Sequence, residues 1–406
     1  MKNSKLYFIA TIICMLFAVS FAAGDEFIKK YSRQGSKPKL YYPGIMVGKT
    51  YFVAGTGDGT PENSKEDYYT KTIRCISGIQ RSLKLADIDL QNIVHTWVML
   101  EDITGMKDMA RAWNETFPEN PPTRTTIGVA NIPGDSQMEI TAIAYGDLSE
   151  RKIIGSEDLA YSLGVRIGTT VYFSGIGSSK PDGSQHDTFE KQSRQAMKNT
   201  ESALYEAGLG FEHVVWCNIY LDRYENLEIF DNVYSEFVES GNEPARITIF
   251  VEEIPDGSHV EITCVATTDI QLRKIVRLQG MNYDSNAMET IASPGVWAGN
   301  ILYLSGQYGT LHSEGITAAD LETQVLQMMQ NHKQVLDAAG LGFEDIVSGN
   351  VYLRNIDDYG HMNEIYQDYF IANGPGVRTC FQPNHGWTND TAKVFSSFIM
   401  AGNRND

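Results

Sequence analysis

Two stretches of this chain are near-copies of each other. PPTRTTIGVANIPGDSQMEITAIA runs from Pro121 to Ala144, and PARITIFVEEIPDGSHVEITCVA from Pro244 to Ala266. Each sets an arginine, Arg124 or Arg246, before an apolar run and a glutamate, Glu139 or Glu261, fifteen residues further on. A third arginine, Arg378, follows Arg246 by 132 residues, the shift that also carries AGLGFE at 207–212 onto AGLGFE at 339–344. Arg124 and Arg246 are 122 residues apart, and Leu100 and Leu221 are 121 apart. A period near 120–130 residues is the size of a domain, not of a solenoid turn. The chain is therefore read as three similar units, 25–150, 151–274 and 275–406.

Each unit repeats one order of elements. A short strand ends in a small residue and glycine: Ala54-Gly55, Ser174-Gly175 and Ser305-Gly306. A long amphipathic helix follows. In the third unit Leu321, Val325, Met328, His332, Val335, Leu336 and Ala339 share one face, and in the second Phe189, Ala196, Met197, Thr200, Leu204 and Ala207 do. The glycines of AGLGFE stop it. An alternating strand comes next, as in Val215, Cys217, Ile219 and Leu221. A second helix carries core aromatics, and two strands hold the arginine and glutamate. The pattern is β-β-α-β-α-β-β, an α+β unit with both helices on one face of its sheet. Strands such as GTTVYFSG and HVEITCVA are apolar on both faces. The uncovered faces are expected to pack against each other in a ring of three, helices outside.

Composition limits the partners. Lys2 and Lys5 precede the apolar stretch LYFIATIICMLFAVSFAA, which reads as an export signal cleaved after Ala22 within a 1–24 leader. The expected product is periplasmic or secreted, with no membrane attachment after cleavage. Loss of the two lysines takes the net charge from -18 to -20. So acidic a chain is a poor match for nucleic acid, whose phosphates need a basic face. Cys75, Cys217, Cys264 and Cys380 lie in apolar runs and are expected to be free buried thiols. No cysteine or histidine pair has zinc-ligand spacing. GTGDGT at 55–60 lacks the Lys-Ser/Thr ending of a phosphate loop and reads as a turn.

The stretches PTRTTIGVANIPGDSQMEI and ARITIFVEEIPDGSHVEI, together with the Gly-Leu-Gly-Phe-Glu segments, resemble the Rid family, the YjgF-like reactive-intermediate deaminases. The resemblance spans nearly the whole chain after the leader, three times over. It implies a chorismate-mutase-like fold and sites in the clefts of a trimer, here joined covalently into a monomeric pseudo-trimer. It implies hydrolysis of small 2-amino-acid imines and enamines to a 2-oxo acid and ammonia, with no metal or organic cofactor. Some relatives are named ribonucleases or translation inhibitors, a weaker alternative for so acidic a chain. A small-molecule binding protein without turnover is the stronger alternative.

The residue types suit that chemistry. An imino acid carries a carboxylate, and the guanidinium fork of Arg124, Arg246 or Arg378 can hold it bidentately. Hydrolysis needs a water over the imine carbon and a carboxyl group to move its proton, which Glu139 and Glu261 supply from otherwise apolar strands. The small-Gly pairs let backbone approach a ligand closely. The resemblance adds a cleft tyrosine, Tyr41 and Tyr161, with Ala292 in the third unit. It also adds a helix asparagine, present only as Asn363, with Asp231 and Ala110 at the matching places. Where the well-studied deaminases often have cysteine, two residues after the arginine, this chain has Thr126, Thr248 and Cys380. The third unit departs most: Arg378 follows GPGV, and the fifteenth residue after it is Lys393. The expected pairs are Arg246 with Glu261 and Arg124 with Glu139, the third unit being a wall with a degenerate site.

Overall fold

In the first repeat the chain forms β1 (Ile28–Tyr31), β2 (Gly44–Val47), β3 (Thr50–Gly57), α1 (Tyr68–Leu83), β4 (Ile93–Leu100), α2 (Met106–Thr116), β5 (Thr123–Gly128) and β6 (Met138–Tyr145). These strands make one sheet in the order β1-β2-β3-β6-β4-β5. All neighbours are antiparallel except β4 and β5, which α2 joins as a crossover. The computed structural model describes residues 27–32, 40–60, 65–155, 161–279, 291–311, 316–371, 374–385 and 392–402. The leader read at 1–24 lies outside them.

The second and third units repeat this sheet. Their long helices are α3 (Phe189–Glu206) and α5 (Leu321–Ala339), and their short helices α4 (Leu227–Tyr234) and α6 (Tyr359–Tyr366). Local chemistry sets the ends. Asp67 and Asp320 cap α1 and α5 by accepting from the backbone N–H of Thr70 and Thr323. Gly340 ends α5 in the left-handed region, φ 72°, a conformation that costs glycine nothing.

One element escapes the β-β-α-β-α-β-β reading. Each unit opens with an extra edge strand: β1, Lys152–Ile154 and Arg273–Val276. At three or four residues these are too short to show alternation. The last pairs with Gly295–Ala298 of the third sheet. It straddles the boundary read at 274/275, so the third unit includes Arg273.

Each sheet buries one face against its own helices, as with Phe173, Ile219, Met197 and Leu204 in the second unit. The other faces meet on the axis. Phe52, Val94 and Ile143 of unit one join Val165, Tyr172 and Trp216 of unit two and Val296, Tyr303 and Ile399 of unit three in a single cluster. That is why these strands are apolar on both faces. Aromatic stacks cross the seams: His95 on Tyr172 at 5.6 Å, Trp216 on Tyr303 at 5.6 Å. Burial lowers the His95 pKa to about 3, so its ring packs uncharged. The Tyr42 N–H donates to the Gly376 carbonyl at 3.1 Å, joining unit three back to unit one. The ring closes within one chain.

Cys75, Cys217, Cys264 and Cys380 are buried free thiols, as the apolar runs suggested.

Candidate active clefts at the seams

The arginine of each unit starts the strand at one sheet edge and reaches across a seam to its neighbour. Backbone bonds fix the seam. The Arg124 N–H donates to Ser174 Oγ at 2.9 Å, and the Gly175 N–H donates to the Arg124 carbonyl at 3.2 Å. Arg246 repeats the pattern with Ser305 Oγ at 2.8 Å and the Gly306 N–H at 3.0 Å. The Ser174 and Ser305 hydroxyls also donate to the carbonyls of Ser162 and Ser293, each at 2.6 Å. Both hydroxyls are thus used in holding units together, where the sequence reading set them against a ligand.

The cleft between units one and two is lined by Arg124 and Thr126 from one side and by Tyr161, Gly175 and Glu261 from the other. It holds about 240 Å³. The Arg124 guanidinium is 4.8 Å from the Tyr161 ring and 5.3 Å from that of Trp113. Met109 Sδ, 3.8 Å from Nη1, occupies the helix side. Burial lowers the Arg124 pKa to about 10, which leaves it charged at neutral pH. Burial raises Glu261 to about 8, with Asp256 adding to the rise and Arg124 opposing it. A side chain at position 175 would collide with Glu261, because a Cβ there would lie 1.8 Å from Oε1. The close approach expected at the small-Gly pair is therefore made by the acid itself.

At the seam between units three and one, Arg378 faces Glu139. Arg378 donates from Nη1 to Asn363 Oδ1 at 2.6 Å and from Nη2 to the Tyr359 hydroxyl at 2.8 Å. Its guanidinium is 5.6 Å from the ring of Tyr41. Glu139 is 7% exposed, and its Oε1 is buried without a hydrogen-bond partner. Burial raises it to about 8, against the pull of Arg378. A Cβ on Gly55 would lie 2.2 Å from Glu139 Oε1, the same contact as in the first cleft. Cys380 is buried here with its thiol raised to about 12, a neutral group at pH 7.

The expected pairs therefore divide differently. Arg124 faces Glu261, not Glu139, and Glu139 faces Arg378. At these two seams the arginine at one edge of a unit meets the glutamate of the next unit.

At the third seam, between units two and three, no glutamate lines the pocket among the described residues. Its pocket of about 360 Å³ brings Arg246 and Asp231 to Ala292, Gly306 and Tyr308. Glu139 pairs in register with Gly57, and Glu261 with Gly177. The matching pair in unit three is Phe395 with Tyr308. Phe395, not Lys393, holds the place of the acid, because the segment between Arg378 and that position is two residues longer than in the other units. Phe395 stacks on Tyr308 at 4.9 Å and on Tyr352 at 4.4 Å. The Tyr308 substitution was readable two residues after Gly306, where the other units have glycine. Tyr359 had no local signal, and Asp231, noted at the asparagine's place, gave no sign of its ion pair with Arg246.

Among the described residues, no group of three or more His, Cys, Asp or Glu side chains is arranged to hold a metal ion. The fold and clefts define a ring-closed triplet of α+β units with arginine and buried glutamate meeting at two seams. A family profile described as Endoribonuclease L-PSP matches residues 36–146, 156–268 and 285–385, and the chain belongs to this family, the Rid family in three tandem copies. A RutC family protein of Pyrococcus horikoshii is 34% identical over 96 residues, 23% of this chain and 76% of its own length. The 2-iminobutanoate/2-iminopropanoate deaminase of Homo sapiens is 34% identical over 91 residues, 22% of this chain and 66% of the relative. A chorismatase structure aligns with 87% of this chain and 98% of its own, TM-score 0.52. At 10% identity it speaks for the fold alone.

Proposed function

We propose that this chain hydrolyses small 2-imino acids at two seams, one–two and three–one. The observation that carries this reading is the repeated facing of a buried arginine and a buried, proton-holding glutamate across a seam. Similarity to a 2-iminobutanoate/2-iminopropanoate deaminase supports the substrate class.

The arginine holds the substrate carboxylate, and the tyrosine face packs beside it. The glutamic acid, protonated at neutral pH, gives its proton to the imine nitrogen, which raises the electrophilicity of C2. The resulting carboxylate takes a proton from water as its oxygen bonds to C2. The re-protonated acid then gives its proton to the amine nitrogen and takes back the hydroxyl proton as the C–N bond breaks, releasing ammonia and the 2-oxo acid. Imines hydrolyse readily, so positioning and one acid–base group are enough to ask of the site.

Freshly generated 2-iminopropanoate tests this, with 2-oxo acid and ammonia followed together. Equal release of both, faster than without protein and lost in E139Q/E261Q, supports turnover. No acceleration, with a ligand-dependent rise in melting temperature, assigns the clefts to binding alone. Export is also part of the reading, on the strength of the basic and apolar leader. Recovery of the full-length, uncleaved chain from the cytosolic fraction would remove that part only.

A further inference from the structure

The two–three pocket is larger than the one–two cleft, about 360 Å³ against 240 Å³, yet it has lost the acid that hydrolysis requires. Its arginine is also altered. Arg246 Nη2 donates to Asp231 Oδ1 at 2.5 Å and to Thr248 Oγ1 at 2.9 Å. The side chain of Arg246 is 2% exposed and that of Asp231 10%, so the pair is desolvated and locally neutral. Arg246 Nη1 remains buried without a hydrogen-bond partner. A second anion here would face Asp231 in a poorly screened site. The space before Gly306 is apolar: a Cβ there would lie 2.8 Å from Ile247 Cγ1, where the equivalent glycines meet a carboxylate. Leu227, Phe250 and Ala392 complete an apolar wall beside Tyr308.

We propose that the two–three pocket is a non-catalytic binding site for uncharged, carbonyl-bearing apolar molecules of aryl-ketone size. The carbonyl oxygen accepts from the orphan Nη1 of Arg246, and the ring packs against Ile247, Leu227 and Tyr308. A buried donor left without a partner is costly, so an acceptor placed there gains what the free protein lacks. Asp231 sets the selectivity by cancelling the charge that would otherwise draw carboxylates. The third unit supplies the contrast: Asn363 stands at the corresponding helix position and leaves Arg378 with its full charge.

Acetophenone and benzoate are matched probes, both aryl carbonyl compounds, one neutral and one anionic. Calorimetric titration of the full chain is expected to show acetophenone binding at least about ten-fold more tightly than benzoate. D231N should reverse that order by restoring an uncompensated guanidinium. A392W should abolish acetophenone binding by filling the pocket, while 2-iminopropanoate hydrolysis and the circular dichroism spectrum stay as in the parent. Benzoate binding as tightly as acetophenone to the parent chain, or no binding of acetophenone at all, overturns the proposal. So does acetophenone binding that survives A392W. Loss of imine hydrolysis in the parent would sink the catalytic reading of the other seams and leave this one standing.

Discussion

Unit three has two edges with opposite fates. One presents Arg378, Asn363 and Tyr359 to Glu139 of unit one and completes an arginine–glutamate pair. The other presents Tyr308 and Ala292 to Arg246 of unit two, with Phe395 where an acid belongs, and forms an apolar pocket. Degeneracy in such a ring is therefore a property of a seam, not of a copy. A site split between neighbours can lose its acid half in one unit while that unit's arginine half goes on serving another seam.

The largest effect expected of this contrast is in the arginines. R124A/R378A should lower kcat/KM for 2-iminopropanoate by about 100-fold or more, since each change removes a charge-assisted bidentate contact. R246A should leave it within about two-fold. A large loss in R246A would erase the distinction between seams. Next come the acids. E139Q/E261Q should reduce kcat by about 100-fold or more with KM little changed, the pattern of a lost proton transfer. Steady-state kinetics on each single variant would then assign shares to the two seams.

A smaller effect is expected of pH. Both acids hold their proton up to about pH 8, so kcat/KM should fall as pH rises through that value. Stability follows the same sign. The folded pKa of each glutamate lies above its ordinary 4.5, so the unfolded chain loses protons first. Stability is full below about pH 4.5, declines towards about 8 and then levels off from this cause. Melting curves of E139Q/E261Q should show a shallower decline over that window. The smallest effect is expected of N363A, which frees one Arg378 contact and should raise KM at the three–one seam by about three-fold.

Much of the site's chemistry was legible as residue type. The arginines and glutamates stood out because they interrupt apolar strands at a repeated interval. Their partners were not legible. Counting fifteen residues from Arg378 reached Lys393, since two more residues separate the strands here and only the sheet register exposes Phe395. Met109, not Ala110, holds the helix asparagine's place in unit one: it lies fifteen residues before its arginine, as Asp231 and Asn363 do, and its sulfur reaches Arg124.

By itself the sequence determined the repeated unit, its helices and its doubly apolar sheets, because periodicity and capping act between residues close along the chain. It therefore also required that the bare sheet faces be covered. Only the tertiary structure decided which arginine meets which glutamate, and that two seam-spanning pairs survive rather than one or three. Those outcomes depend on contacts between units more than 100 residues apart in the chain, such as Arg124 with Glu261, and on desolvation that exists only once the ring has closed.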